Sequence, residues 1–143
     1  MAGKKRARRD GRHIPVDPKV AAKLALKFEI GLARAVLDVN AEHRAALEML
    51  GVALTKARRF EEALKADIKL TEVAPKSAYA FYNLACSYSN LGQVDEGLAA
   101  LKRALDLGYK DFGYMMSDED LDNVRRDPRF RKLLDKKWGK RQP

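Results

Sequence analysis

The stretch RAALEMLGVALTKARRFEEALKADIKLTEVAPKS at residues 44–77 is followed directly by AYAFYNLACSYSNLGQVDEGLAALKRALDLGYKD at residues 78–111, and the second lies over the first at an offset of 34. Leu47 pairs with Phe81, Leu50 with Leu84, Gly51 with Ala85 and Leu54 with Tyr88. The later halves agree as well: Glu62 with Glu96, Leu64 with Leu98, Ala66 with Ala100, Lys69 with Arg103 and Val73 with Leu107. A period of this length marks stacked supersecondary units, each unable to bury its apolar face alone.

Within each unit the apolar residues recur at helical spacing. Leu47, Leu50 and Leu54, like Phe81, Leu84 and Tyr88, fall on one face of a first helix. Gly51 and Ala85 are small where a second helix must cross closely. The second helices open on carboxylates, Glu61 and Glu62 or Asp95 and Glu96, as the helix dipole favours. Arg58 and Arg59, or Asn90 and Gly92, mark the ends of the first helices. Each unit is therefore a helix hairpin.

The pattern Leu47-x2-Leu50-Gly51-x2-Leu54 with Ala63 and Pro75, repeated as Phe81-x2-Leu84-Ala85-x2-Tyr88 with Gly97, resembles the tetratricopeptide repeat family. The resemblance implies an all-α, right-handed α-solenoid of about seven helices. Two positions depart from the family pattern. Asp67 stands in a usual aromatic slot, which predicts looser packing in the first unit, and Tyr109 replaces the terminating Pro.

Working outward, residues 15–40 read as one long leading helix with Val20, Leu24, Phe28, Leu32, Val36 and Val39 three or four apart, begun by Pro15 and Pro18. It has the cadence of the second half of a unit whose first half is missing or remodelled. Downstream, the offset puts Asp118 where Leu50 and Leu84 stood, so the repeat fails there. Residues 112–135 read instead as a helical cap, with Leu121, Val124, Phe130, Leu133 and Leu134 turned inward and Asp127-Pro128 opening its last helix. That string resembles the terminal capping unit of small bacterial repeat proteins, which implies a bacterial source. The division expected is thus a basic disordered arm 1–14, a repeat domain 15–135 (repeats at 44–77 and 78–111), and a basic tail 136–143.

The 143 residues carry a net charge of +9, and its placement is uneven: +5 in residues 1–20, +6 in residues 129–143, and −2 between. A single cysteine, Cys86, excludes an intramolecular disulfide, and no apolar run reaches the length of a membrane span, so a cytoplasmic protein is expected. No catalytic or metal constellation stands out, and no cofactor is expected. His13 and His43 are far apart, and Asp118, Asp120 and Asp122 lack the Gly and Glu that a calcium loop needs, Asn123 and Arg129 standing there instead. The protein reads as a non-catalytic adaptor or scaffold.

In the family that this sequence resembles, the first helices line a concave groove. The resemblance therefore implies a partner-binding surface at Glu48, Met49, Val52, Lys56, Tyr79, Tyr82, Asn83, Cys86 and Ser89 for a peptide or helical segment of another protein. Asn83 matches a slot that holds peptide backbone, and Tyr79 and Tyr82 supply amphipathic contact area. On this reading Asn83→Ala with Tyr82→Ala weakens the partner without unfolding the chain. Glu48 and Val52 stand where receptors of acidic chaperone tails carry Lys and Asn, which argues against such a tail. An alternative function lies in the ends. Lys4, Lys5, Arg6, Arg8 and Arg9, with Lys136, Lys137, Trp138, Lys140 and Arg141, form clusters suited to RNA, DNA or the ribosome. Two full repeats are few for such a stack, so self-association is also an expectation.

Overall fold

A computed structural model describes residues 14–139. The expectations placed on Lys4, Lys5, Arg6, Arg8, Arg9, Lys140 and Arg141, and on the arm, lie outside the described residues. The fold is an all-α right-handed solenoid. Its elements are α1 (Pro18–Val39), α2 (Arg44–Lys56), α3 (Phe60–Val73), α4 (Ala78–Asn90), α5 (Val94–Asp106), α6 (Phe112–Ser117), a 3-10 turn (Glu119–Leu121), α7 (Asp122–Arg126) and α8 (Pro128–Trp138). There are eight α-helices among the described residues rather than about seven, because the cap is broken into three helices and a turn.

The helix starts keep the period of the sequence. His43, Ser77 and Asp111 are each the residue before a helix, and each side chain accepts a hydrogen bond from the backbone N–H three residues on: Ala46 at 3.2 Å, Ala80 at 3.2 Å and Tyr114 at 3.0 Å. His43 is thus a helix cap. Asp111 shows that the third unit begins in register, with α6 an aborted first helix. It stops at Ser117, where Asp118 turns to extended backbone and is buried against Tyr82 and Cys86 of α4. Asp118 also caps the 3-10 turn, its Oδ1 accepting from the Asp120 N–H at 3.0 Å.

The first helices end alike. The N–H of Arg59 reaches the carbonyl of Leu54 and that of Gln93 reaches Tyr88, both at 2.9 Å, with Arg58 (φ 58°) and Gly92 (φ 72°) in the left-handed region. The chain then turns into α3 and α5.

Successive helices pack against one another, α1 on α2, α2 on α3, α3 on α4 and α4 on α5, while α2 also meets α4, so the two first helices stand side by side. The largest core lies at the cap end. There Leu84, Leu101, Leu105, Met115, Leu121, Val124, Phe130 and Leu134 close over one another. Gly97 permits this closure, since a Cβ there would come to 2.6 Å from the Val124 side chain. Smaller clusters bind the other units: Leu47, Leu70 and Ala80 in one, and Ile30, Ala53, Leu54 and Ala63 in another.

Two expectations are corrected here. Asp67 is not a point of looseness: it is buried, its Oδ2 accepts from Ser87 Oγ at 2.6 Å, and Gly51 lies directly against its carboxyl group. Three helices meet at that polar contact, which replaces the aromatic ring. Lys136, Lys137 and Trp138 are not tail but the last turn of α8, where the rings of Trp138 and Phe112 meet nearly at right angles with centroids 5.9 Å apart.

Candidate functional site

Where α2 and α4 stand side by side, the link after α5, helix α6 and the 3-10 turn fold over one end and leave a cavity of about 300 Å³. Helix α2 contributes Gly51, Val52, Thr55 and Lys56, and α4 contributes Tyr79, Tyr82, Asn83 and Cys86. The remaining wall comes from Tyr109, Tyr114, Asp118 and Asp120. Four tyrosines converge because the period brings the α4 face, the Tyr109 turn and α6 to one corner.

Tyr82 holds this corner together. Its ring stacks on that of Tyr109, with centroids 4.1 Å apart and planes within 2°, and lies 6.0 Å from that of Tyr114. Its hydroxyl donates to Asp118 Oδ2 at 2.7 Å, and Cys86 Sγ lies 3.7 Å from the same oxygen. Burial, reinforced by the negative charge of neighbours, raises the pKa of Tyr82 and of Cys86 well above the ordinary range, so both stay protonated. Burial likewise raises the pKa of Asp120, opposed by the hydrogen bond that its Oδ1 accepts from Asn90 Nδ2 at 3.0 Å. A thiol held protonated in this way is no nucleophile.

Asn83 differs from its neighbours. Its amide nitrogen is buried and meets no hydrogen-bond partner among the described residues. An unsatisfied buried donor costs about 1–3 kcal/mol, a cost that an incoming acceptor removes.

The nine groove residues named from the sequence divide. Val52, Lys56, Tyr79, Asn83 and Cys86 line the cavity, Tyr79 being 45% exposed. Tyr82 also borders it but is 2% exposed and engaged by Asp118 and Tyr109, so it forms the wall and is corrected from a free contact to a structural residue. Ser89 is corrected too: its Oγ accepts from the Val124 N–H at 3.3 Å and its carbonyl accepts from Asn123 Nδ2 at 2.8 Å, fastening the cap. Glu48 is drawn to Arg44 on its own helix at 2.8 Å, and Met49 lies outside the cavity. Trp138 is half-buried against Phe112, whereas Lys136 and Lys137 are exposed. Thr55 of α2 was missed as a site residue, and so were Tyr109, Tyr114, Asp118 and Asp120 of the link and the cap. Their place follows from where the cap folds, although the in-register Asp111 was a visible signal that the first-helix geometry persists beyond residue 111.

Among the described residues no helix is long and apolar enough to cross a membrane, and no group of side chains suited to a metal ion occurs. The tetratricopeptide repeat family model matches residues 69–99, from the second half of α3 into α5. The chain is 40% identical over 87 residues to a chloroplastic protein of Arabidopsis thaliana, covering 59% of this chain and 26% of that protein. It is 33% identical over 100 residues to the peroxisomal targeting signal receptor of Kluyveromyces lactis, covering 64% of this chain and 18% of the receptor. The chain therefore spans about a quarter or less of these relatives' length, and both are eukaryotic, which gives no support to the expected bacterial source. The repeated hairpins, their in-register caps and this match together make the chain a tetratricopeptide repeat protein.

Proposed function

We propose that this protein is a non-catalytic protein-binding module whose cavity between α2, α4 and the cap receives an extended or helical segment of a partner. The observation that carries this reading is the buried, unpartnered amide nitrogen of Asn83 at a cavity about 300 Å³ in volume. A backbone carbonyl of the partner satisfies that donor, and the exposed ring of Tyr79 covers the segment beside it. Asp118 and Asp120 face the cavity against Lys56 as its one basic lining residue, so the segment is one without a terminal carboxylate at this point. The similarity to a targeting signal receptor is in keeping with peptide recognition.

The test is selection of binders from a displayed library of random peptides against the full chain. Binders are expected to lose about tenfold or more in affinity on Asn83→Ala or Tyr79→Ala with helicity unchanged, roughly 1.4 kcal/mol. Binders indifferent to both substitutions overturn the reading. A second reading rests on the segregation of charge to the two ends of the sequence, which suits a polyanion such as RNA. It predicts binding that falls steeply with salt and survives the cavity substitutions.

A further inference from the structure

Helix α1 is apolar on two opposite faces. One face, with Leu26, Ile30, Ala33 and Leu37, packs on α2 and its surroundings. The other is bare: Val20, Leu24, Phe28, Leu32 and Val39 are 50%, 58%, 70%, 44% and 90% exposed. At 100° per residue the last four of these, with Ala21, Ala25, Gly31 and Ala35 between them, occupy a face without a charged side chain, and Val20 stands at its edge. The period of 34 says what belongs there. Leu32 and Val39 of the bare face correspond to Ala66 and Val73 of α3, one buried and one half-buried in a helix that packs on the preceding first helix, while Phe28 stands where α3 has Glu62 and is an apolar addition to this face. The bare face is therefore shaped for an antiparallel helix. Residues 1–13 offer three apolar side chains against six Lys and Arg, too few for that part.

The geometry points to a second copy of this chain as the occupant, α1 pairing antiparallel with α1 about a two-fold axis close to Leu32. That axis sets Phe28 over the partner's Ala35, large against small, and Leu24 over the partner's Val39, two apolar side chains near the helix ends. It also matches charge. Lys27 and Asp38 flank the ridge on one side, and an antiparallel pair brings Lys27 beside the partner's Asp38, twice by symmetry. The ridge side chains expose roughly 500 Å² per chain and their small neighbours add to this, approaching the roughly 800 Å² per partner of a stable interface.

Sedimentation equilibrium of the full chain from about 1 to about 100 µM tests this, a range in which micromolar dimers dissociate. The expected result is a species of twice the 16.1 kDa chain mass, converted to monomer by Phe28→Glu with helicity retained. Lys27→Glu alone is expected to weaken the dimer by roughly tenfold, and Lys27→Glu with Asp38→Lys to restore it, a rescue that misfolding cannot imitate. A monomer throughout the range overturns the proposal, including one that sediments with anionic vesicles or is captured by an acidic helix. So does a dimer indifferent to Phe28→Glu, or a charge swap that restores nothing.

Discussion

Gly51 of α2 lies directly against the carboxyl group of Asp67 in α3, with no room for even a methyl group between them. The approach is possible because residue 51 has no Cβ, and it brings Asp67 to Ser87 of α4, so three helices meet at one buried carboxyl group whose Oδ2 is hydrogen-bonded and whose Oδ1, against Gly51, has no hydrogen-bond partner among the described residues. In the neighbouring unit the equivalent positions hold Ala85 and Leu101, an apolar solution to the same crossing.

Gly51→Ala is accordingly expected to destabilise the fold by about 1–3 kcal/mol, although alanine is the better helix former by about 1 kcal/mol. Urea denaturation followed by circular dichroism measures this. Adding Asp67→Ala should recover part of the loss, since the clash is with that side chain.

Stability should also depend on pH through Asp67, whose burial pushes its pKa from 3.8 to about 6 against the opposing Ser87 hydrogen bond. The folded state then holds its proton more tightly than the unfolded chain. This group's contribution is therefore full below about pH 4 and is lost as pH rises through about 6, by at most roughly 3 kcal/mol. Asp67→Asn should flatten the profile between those values. An unchanged decline in the variant would assign the pH dependence to another group.

Tyr82 and Asn83 are adjacent in sequence but opposite in consequence. Tyr82→Phe strips Asp118 Oδ2 of its hydroxyl donor inside the cap joint and should cost about 1–3 kcal/mol of stability. Asn83→Ala removes a donor that the protein itself leaves unused and should cost little or nothing. Paired melting curves of the two variants distinguish a wall residue from a ligand residue. The pair Asn83→Ala with Tyr82→Ala, attractive from the sequence, would confuse the two effects.

Arg58 adopts a left-handed backbone where the second repeat uses Gly92. Arg58→Gly should raise stability by about 0.5–1 kcal/mol, net of the lost stacking of its guanidinium over Phe60 at 5.2 Å. A lower melting temperature would mean that the Phe60 contact outweighs the strain.

The single tryptophan reports on the cap. Phe112→Ala should shift Trp138 emission to the red and lower stability by about 1–3 kcal/mol. A chain cut after residue 135 should show the same loss, since the final turn of α8 packs rather than trails.

The sequence by itself determined the hairpins, because their evidence is periodic: Leu47 and Phe81, Gly51 and Ala85, Glu62 and Glu96 answer each other at fixed offset, and local helical spacing needs no knowledge of what lies opposite. The family resemblance, not spacing, pointed to Val52, Lys56, Tyr79, Asn83 and Cys86, which the structure brings to the cavity. Only the tertiary structure decided the rest. Whether Tyr82 meets a partner or Asp118 depends on contact across 36 residues. Whether Asp67 loosens or clamps the stack depends on the glycine it happens to face. The cavity itself arises because α6 ends early and the cap turns back over α4, burying Asp118 against Tyr82 and Cys86; the sequence showed that the repeat fails at Asp118, but where the cap then folds is decided by packing between distant segments.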